Sequence, residues 1–247
     1  MKESKSITIF DININSLNYN YLLDQISIAL GNEEKRSITY VTSNTLNIIF
    51  NNKKLLNIFN QFDLIHPDGM GVIIASQILY GKNGLKKRIT GSDFYPILNQ
   101  AALKNKWRIF FFGDEEATLE KILKINPRLL VAGLHNGFNY SDEDLVAEIN
   151  NSKTDILIVG LGCPKQEKWI IENKDKLTVK VIIAVGDGIK VFAGIKKRGN
   201  RFLQTLGLEW VVRLINNPFL FWRRYLVGIP LFLFLVIKSK YLSDKIV

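Results

Sequence analysis

The sequence has few of the residues that metal sites, disulfides and thiol enzymes require. Its 247 residues include one cysteine, Cys163, and two histidines, His66 and His135. A single cysteine excludes an internal disulfide, and its lone presence fits a reducing compartment. These three residues cannot provide the four ligands of a structural zinc site at any recognised spacing. Nucleophilic catalysis by Cys163 is also disfavoured, because a catalytic thiol needs a histidine close by.

Two further signals are absent. Neither glycine turn completes a GxGxxG pattern, because residues 160–162 continue to Lys165 and residues 186–188 continue to Val191. A dinucleotide-dependent oxidoreductase is therefore disfavoured. No secretory signal is predicted, since residues 1–5 are polar and the apolar stretch that follows them is short and interrupted.

Positive charge is distributed unevenly along the chain. The formal net charge is +10, and residues 196–247 contribute +8 of it, from ten Lys and Arg against two acids. With 47% hydrophobic residues, the chain can form one good-sized domain with an appendage. We therefore predict an α/β core at residues 1–195 and a helical, basic appendage at residues 196–247.

Short apolar runs rich in β-branched residues alternate with helical patterns through the core. The predicted strands cover residues 7–14, 37–42, 107–113, 129–133, 156–159 and 179–188. Such alternation is typical of a mostly parallel sheet. The predicted fold class is therefore α/β, with a Rossmann-like, mostly parallel sheet sandwiched by helices.

Residues 155–171 are the most informative stretch of the chain. An apolar strand is followed by a glycine turn and by a helix that begins near Pro164. The amide groups at such a helix start can hold an anion such as a phosphate. Any α/β protein has turns of this kind, but Gln166, Glu167 and Trp169 at the helix start favour a sugar or nucleotide site.

Polar residues follow several predicted strands. Thr42 and Asn44 end the strand at residues 37–42, where ligands of open α/β sheets gather, although helix capping explains them equally well. Asp68 stands where a helix N-cap is expected, and on spacing alone a purely capping role is favoured. Arg88 follows a basic loop and is a candidate phosphate clamp, with a solvated loop arginine as the alternative.

The appendage combines aromatic and basic residues with an apolar run. Arg223 and Arg224 lie among aromatic side chains, and residues 225–237 form the most apolar run of the chain. This run is shorter than the roughly 20 residues that a spanning helix needs, and it contains Gly228 and Pro230. We predict an element at the membrane interface, with a helix packed on the core as the alternative. Nucleic acid is a poorer partner, because the run has no polar face.

The chain also carries an ordered set of short motifs. They are Thr42 with Asn44, Pro67-Asp68-Gly69, Arg88-Ile89-Thr90-Gly91 with Asp93, Gly162 with Pro164, Gln166, Glu167 and Trp169, Ala193-Gly194, Gly207-Leu208-Glu209-Trp210, Arg213, and Arg223-Arg224-Tyr225. In this order and spacing the set resembles the WecG/TagA/CpsF family of bacterial glycosyltransferases, glycosyltransferase family 26. The resemblance runs from about residue 7 to about residue 235.

The resemblance implies a fold of the GT-E type and a metal-independent, inverting hexosyltransferase without a cofactor. Such enzymes move a sugar from a UDP-sugar to an undecaprenyl-diphosphate-linked saccharide, in polysaccharide or teichoic-acid synthesis for the cell wall. They are peripheral proteins at the inner face of the cytoplasmic membrane, and their cores are expected to self-associate. N-acetylmannosamine and its uronic acid are frequent donor sugars of the family.

The resemblance also assigns roles to residues of this chain. Asp68 matches the proposed general base, and Arg213 and Arg223 match arginines over the diphosphate. The family usually has an arginine where this chain has Leu220, and Arg224 is its candidate replacement. The positions expected to line the nucleotide-sugar pocket are Thr42, Asn44, Arg88 and Gln166.

Departures at residues 189–190, 199–200 and 217 leave the donor sugar open. Two other functions compete with the transferase. A non-catalytic, membrane-associated protein would bind UDP-sugar without turnover, and a basic nucleic-acid-binding module would bind with a steep salt dependence.

Overall fold

The computed structural model describes residues 6–196 and 209–243, without the side chains of Glu209, Arg213 and Ser243. Its centre is a six-stranded parallel sheet in the order β4-β3-β8-β7-β5-β6, next to an antiparallel pair, β1 and β2. The strands are β1 Ser6–Ile9, β2 Ile12–Asn15, β3 Arg36–Val41, β4 Leu64–Pro67, β5 Ile109–Gly113, β6 Val131–His135, β7 Ile156–Gly160 and β8 Val181–Ala184. The predicted α/β class with a parallel sheet is confirmed.

Helices follow most of the strands. They are α1 Tyr19–Gly31, α2 Ser43–Phe50, α3 Lys53–Phe59, α4 Met70–Tyr80, α5 Gly91–Asn105, α6 Glu116–Ile125, α7 Asp142–Asn151, α8 Lys165–Asn173, α9 Ile189–Phe192, α10 Glu209–Asn216, α11 Pro218–Trp222 and α12 Gly228–Ser243. Short 3-10 turns lie at Gly81–Asn83 and Gly186–Gly188, and a π-helical turn lies at Arg223–Val227.

The central strands are buried on both faces. In β5, Phe110 and Phe112 pack into one hydrophobic cluster, while Ile109 and Phe111 pack into a second one. Since successive side chains of a strand point to opposite faces, the continuous apolar run at β5 fills both layers of the core. The sheet is therefore sandwiched between helices, as predicted.

The N-terminal prediction of a single strand at residues 7–14 is wrong. β1 and β2 form an antiparallel hairpin in which Ile9 lies opposite Ile12. The chain reverses at Phe10 and Asp11, both of which have positive φ angles of 50° and 61°. Turns of this type usually carry Asn or Gly at these positions, so the sequence does not signal this reversal.

The last predicted core strand, residues 179–188, is also shorter than expected. β8 ends at Ala184, and the chain then turns at Gly186, which has a φ of 52°. A side chain there would also meet the Tyr40 hydroxyl, since an added Cβ would lie 2.6 Å from it. Glycine lets the backbone turn tightly beside Tyr40.

The tail contains a longer helix than the apolar run at residues 225–237 predicts. Residues Pro218–Leu242 form one helix of 25 residues, which is long and apolar enough to cross a membrane by length and composition alone. Pro230 does not break it. Proline has no N–H group, so Pro230 cannot donate the usual helical hydrogen bond to the Leu226 carbonyl. That carbonyl lies in the π-helical turn, where the regular i→i−4 hydrogen bonds are already altered.

One face of this helix packs on the core. Phe232 and Val236 are fully buried in the cluster that also contains side chains of α2 and α4, and the Asn47 amide donates a hydrogen bond to the Gly228 carbonyl at 2.7 Å. The opposite face is open, because Phe219 is 96% exposed and Phe234 is 62% exposed. The helix is therefore packed on the core along one side and presents an apolar surface on the other.

Candidate functional site

A cleft of about 440 Å³ opens at the carboxyl ends of β3, β4 and β8. β3 and β8 are neighbours, and the helices that follow them pack on opposite faces of the sheet, α2 in the cluster of Phe110 and Phe112 and α9 in the cluster of Ile109 and Phe111. Ligands of open α/β sheets bind at such a switch point. The residues that line the cleft include Tyr40, Thr42, Asp68, Thr90, Ser92, Asp187, Lys196, Leu220, Phe221 and Arg224.

Thr42 lies both at a helix end and at the cleft. It is the N-cap of α2, where its hydroxyl accepts a hydrogen bond from the Thr45 N–H at 3.1 Å, and it also lines the cleft. Asn44 lies in the first turn of the same helix and is half-buried. The end of β3 therefore supplies a hydroxyl group to the cleft from a position that the helix cap holds in place.

Asp68 is not a helix cap. The N-cap of α4 is Gly69, which has a φ of 97° and, as a glycine, no side chain that could cap the helix. The Asp68 N–H donates to the Val41 carbonyl at 2.8 Å, which ties the residue to the end of β3. Its half-buried side chain lines the cleft, so the purely capping role is wrong.

Gln166 lies behind the cleft rather than on its surface. The side chain is fully buried, and its Oε1 accepts a hydrogen bond from the Gly186 N–H at 2.8 Å. Its Nε2 donates to Glu167 Oε1 at 2.8 Å, which also accepts from the Thr39 hydroxyl at 3.0 Å. This buried chain of hydrogen bonds fixes the turn that carries Asp187 into the cleft.

Burial disfavours the charged forms of several groups around the cleft. It raises the pKa of the Glu167 carboxyl, despite the hydrogen bonds from Gln166 and Thr39 that favour the anion. Burial likewise raises the pKa of Tyr40, and the nearby carboxylates of Glu167 and Asp68 raise it further. Burial lowers the pKa of His66 to about 4, so this imidazole is neutral near pH 7.

The thiol of Cys163 also stays protonated. Burial raises its pKa, and the neighbouring Glu167 raises it further. A thiol in this state is a poor nucleophile. This agrees with the expectation that Cys163 does not act as a covalent catalyst.

A chain of opposite charges borders the cleft at the end of β8. Asp187 Oδ2 accepts a hydrogen bond from Lys196, and its Oδ1 lies 3.5 Å from the Lys190 Nζ. The Lys190 Nζ in turn lies 3.6 Å from Asp114 Oδ2. Partial burial alone would raise the pKa of Asp187, but Lys196 and Lys190 hold it below its usual value.

Within residues 6–196 and 209–243, His, Cys, Asp and Glu form no group of three or more that could hold a metal ion.

The arginines predicted for the site occupy different surroundings. Arg224 lines the cleft, whereas Arg223 is exposed, with its guanidinium 5.3 Å from the centre of the Trp222 ring. Arg88 is half-buried, and the next residue, Ile89, donates its N–H to the Pro67 carbonyl at 2.9 Å. Arg213 belongs to α10, and its side chain lies outside the part of the chain that the structure describes.

The structure thus gathers Thr42, Asp68 and Arg224 in one cleft and places Arg88 close to the end of β4. The sequence interpretation missed the cleft residues Tyr40, Tyr95, Asp187 and Lys196. Asp187 could have been found, because it lies at the carboxyl end of the predicted strand at residues 179–188, where ligands of open α/β sheets gather. Tyr40 could not, because inside a strand it is indistinguishable from a core residue.

Known proteins resemble the whole chain. An N-acetylglucosaminyldiphosphoundecaprenol N-acetyl-beta-D-mannosaminyltransferase from Staphylococcus aureus (strain MRSA252) is 29% identical over 242 residues, which cover 95% of this chain and 93% of the relative. The protein of the same name from strain MW2 is 28% identical over the same coverage. The sequence pattern of the glycosyl transferase WecG/TagA/CpsF family matches residues 7–245. Because that match spans nearly the whole chain, the chain belongs to the glycosyl transferase WecG/TagA/CpsF family and is a glycosyltransferase.

Proposed function

We propose that this protein transfers a hexose from a UDP-sugar to an undecaprenyl-diphosphate-linked saccharide, with inversion at the anomeric carbon and with Asp68 as general base. The observation that carries the proposal is the cleft itself, where a carboxylate from the core, Asp68, and a guanidinium from the tail, Arg224, line the same space. The names of the relatives support an acceptor of this kind and a role in cell-wall polymer synthesis.

The reaction is a one-step displacement. The acceptor hydroxyl attacks the anomeric carbon as Asp68 takes its proton, and the bond from that carbon to the diphosphate breaks with the electron pair leaving on UDP. Negative charge therefore grows on the diphosphate in the transition state, where a positioned cation stabilises it most. Arg224 has the charge and the position for this task, and the reaction as proposed needs neither a metal nor a cofactor.

The remaining predicted residues hold the nucleotide sugar in this proposal. Thr42, Asn44 and Arg88 contact it from the ends of β3 and β4. Gln166 acts from behind, through the Gly186 backbone that it fixes. Arg213 and Arg223 are proposed to approach the diphosphate from the tail, residues 196–247.

The long tail helix is proposed to dock on the inner face of the cell membrane. Its open face carries Phe219 and Phe234, and Lys238 and Lys240 follow the apolar run. Aromatic and basic residues beside an apolar surface suit an anionic interface. A docked rather than a spanning helix is favoured, because crossing the bilayer would remove Phe232 from the core. Docking also brings the cleft, which Arg224 lines, next to a lipid-linked acceptor.

A donor screen tests the proposal. Purified protein in detergent, without divalent metal, is incubated with lipid-diphosphate-linked N-acetylglucosamine and a panel of UDP-sugars, and UDP release is followed. We expect release with one donor, a mass gain of one sugar on the lipid, and a product anomer opposite to that of the donor. UDP binding without turnover across the panel would instead identify a non-catalytic UDP-sugar-binding protein.

A further inference from the structure

A second cavity of about 550 Å³ adjoins the cleft. Ser92, Val191 and Lys196 line both spaces, so the two share a wall. Residues of α5 line the second cavity, and Asp68 lines only the cleft. Nothing in the proposed reaction at the cleft uses this space, although a substrate that fills the cleft has access to it.

The walls of this cavity suit a sugar ring. Pro96, Ile97 and Val191 form an apolar side, whereas Tyr19 and Asp93 form a polar side, where the Tyr19 hydroxyl donates to Asp93 Oδ2 at 3.1 Å. A pyranose has a C–H face that packs on apolar side chains and hydroxyl groups that need hydrogen-bond partners. Ligand sites commonly combine apolar lining with a few placed polar groups in this way.

The charge balance at the junction of the two spaces selects the kind of sugar. Asp187 is paired with Lys196 and with Lys190, which is also paired with Asp114. Two carboxylates and two ammonium groups leave this wall without net charge, and Asp93 adds a carboxylate across the cavity. With Asp93 counted, three carboxylates face two ammonium groups, so a uronate would meet net repulsion. A neutral hydroxyl can donate to Asp187 and accept from Lys196.

We propose that this second cavity is a saccharide subsite for an uncharged, hydroxyl-rich sugar ring, held at its entrance by the Asp187–Lys196 pair. The inference rests on the proposed function, since it assigns the sugar of one of the two substrates to this cavity. That sugar belongs either to the nucleotide donor or to the lipid-linked acceptor. Either sugar would present an uncharged ring with several hydroxyl groups.

Equilibrium binding separates the two sources and does not depend on turnover. The donor pair of probes is UDP and UDP-N-acetylmannosamine. The acceptor pair is a short-chain prenyl diphosphate with and without N-acetylglucosamine. In each pair, the ratio of the two dissociation constants measures what the sugar contributes to binding. We expect the sugar to tighten binding in one pair, which identifies the substrate that reaches the cavity.

Two variants of the full chain test the subsite. Lys196→Met removes the ammonium group, and Ile97→Trp narrows the second cavity from a position outside the cleft. In the probe pair whose sugar reaches the cavity, each variant should reduce the contribution of the sugar to binding about tenfold. Lys196→Met removes a charge-assisted hydrogen bond, and Ile97→Trp takes up space that the sugar would occupy. For Ile97→Trp, which lies outside the cleft, binding of the sugar-free probe should stay within about twofold of the unaltered protein. Lys180→Met is the matched control, because it breaks the Lys180–Glu33 ion pair away from the cleft.

Charge selectivity gives an independent readout. We expect UDP-N-acetylmannosaminuronate to bind about tenfold more weakly than UDP-N-acetylmannosamine if the donor sugar uses the cavity, and Asp187→Asn to narrow that difference. A sugar contribution that is absent in both pairs, or that neither variant changes, overturns the subsite. Sugar-dependent binding without any turnover in the donor screen overturns the proposed function and leaves the subsite standing.

Discussion

Two carboxyl groups near the cleft, those of Asp68 and Glu167, have opposite surroundings. Asp68 borders the open cleft, whereas Glu167 is fully buried and accepts hydrogen bonds from Thr39 and Gln166. Burial disfavours the charged form of a carboxyl group and raises the pKa of Glu167. The same side-chain chemistry therefore suits proton transfer at one position and structural support at the other.

Replacing Asp68 with Asn should remove turnover and keep the site intact. We expect kcat to fall by about 10² to 10⁴, the usual contribution of a general base, while UDP binds as before. Steady-state kinetics and UDP titration measure the two quantities. Asp11→Asn in the hairpin turn is the matched control and should be fully active. An active Asp68→Asn enzyme would remove Asp68 as the base.

Replacing Glu167 with Gln, which has the same shape, should preserve the stability of the fold, whereas truncating it to Ala should lower the stability. Glu167→Ala leaves the buried donors of Thr39 and Gln166 without their acceptor and should lower the free energy of unfolding by about 1–3 kcal/mol. Glu167→Gln keeps an acceptor oxygen and should change the free energy of unfolding little below pH 4.5, where the carboxyl is protonated in the folded and the unfolded states. Denaturant unfolding at that pH compares the two variants. Equal losses for both would show that the acceptor oxygen does not account for the stabilisation.

The raised pKa of Glu167 also predicts a pH dependence. The folded protein keeps this proton while the unfolded chain releases it, so the contribution to stability is complete below the ordinary carboxyl pKa of 4.5. It declines as the pH rises above that value toward the raised pKa of the folded state. Unfolding curves at several pH values should show that Glu167→Gln removes this part of the decline. If the Glu167→Gln variant shows the same pH dependence of stability as the unaltered protein, the decline does not come from Glu167.

At the scale of elements, the tail helix has two different faces. Phe232 and Val236 are buried against the core, while Phe219 and Phe234 are exposed. The apolar run at residues 225–237 does not reveal this division, because both faces consist of similar residues. Only packing against α2 and α4 decides which side remains open.

Matched phenylalanine variants distinguish the two faces. Phe232→Ala creates a cavity beneath the helix, which large-to-small core changes make costly by about 3–5 kcal/mol, and should raise amide exchange at residues 228–243. Phe234→Ala should leave exchange unchanged and weaken binding to vesicles. Hydrogen exchange and vesicle cosedimentation measure these effects. The same response from both variants would argue against a helix docked through Phe232.

At the scale of the whole molecule, the core and the tail complete one cleft. Asp68 and Asp187 come from the core, and Phe221 and Arg224 come from the tail helix. The excess positive charge lies in the same tail. In the proposed function, membrane attachment and the cleft therefore share one element.

Attachment should depend on lipid charge and on salt. We expect binding to vesicles that contain anionic lipid to exceed binding to neutral vesicles and to weaken as salt rises. Each basic residue at such a surface contributes about 1 kcal/mol, so the double variant Lys238→Gln and Lys240→Gln should bind more weakly. Lys121→Gln with Lys124→Gln on α6 is the control pair. Equal binding to both kinds of vesicle would contradict an electrostatic contribution.

The sequence by itself determined the α/β class and the motifs that place the chain in its family. Apolar runs at β5 and β7 and the polar residues that follow β3 and β4 are local features, and local features are readable along the chain. The hairpin turn was not readable, because Phe10 stands at the position where Asn, Asp or Gly is usual and Asp11 stands where Gly is usual.

The tertiary structure decided which of the candidate residues share a cleft. Thr42, Asp68, Asp187 and Arg224 meet only because β3, β4 and β8 end at one edge and because the tail helix packs back over it. Gln166 was a plausible contact on sequence grounds, yet packing places it behind the wall. Proximity between residues far apart in the chain depends on the packing of whole elements, and spacing along the sequence does not encode it.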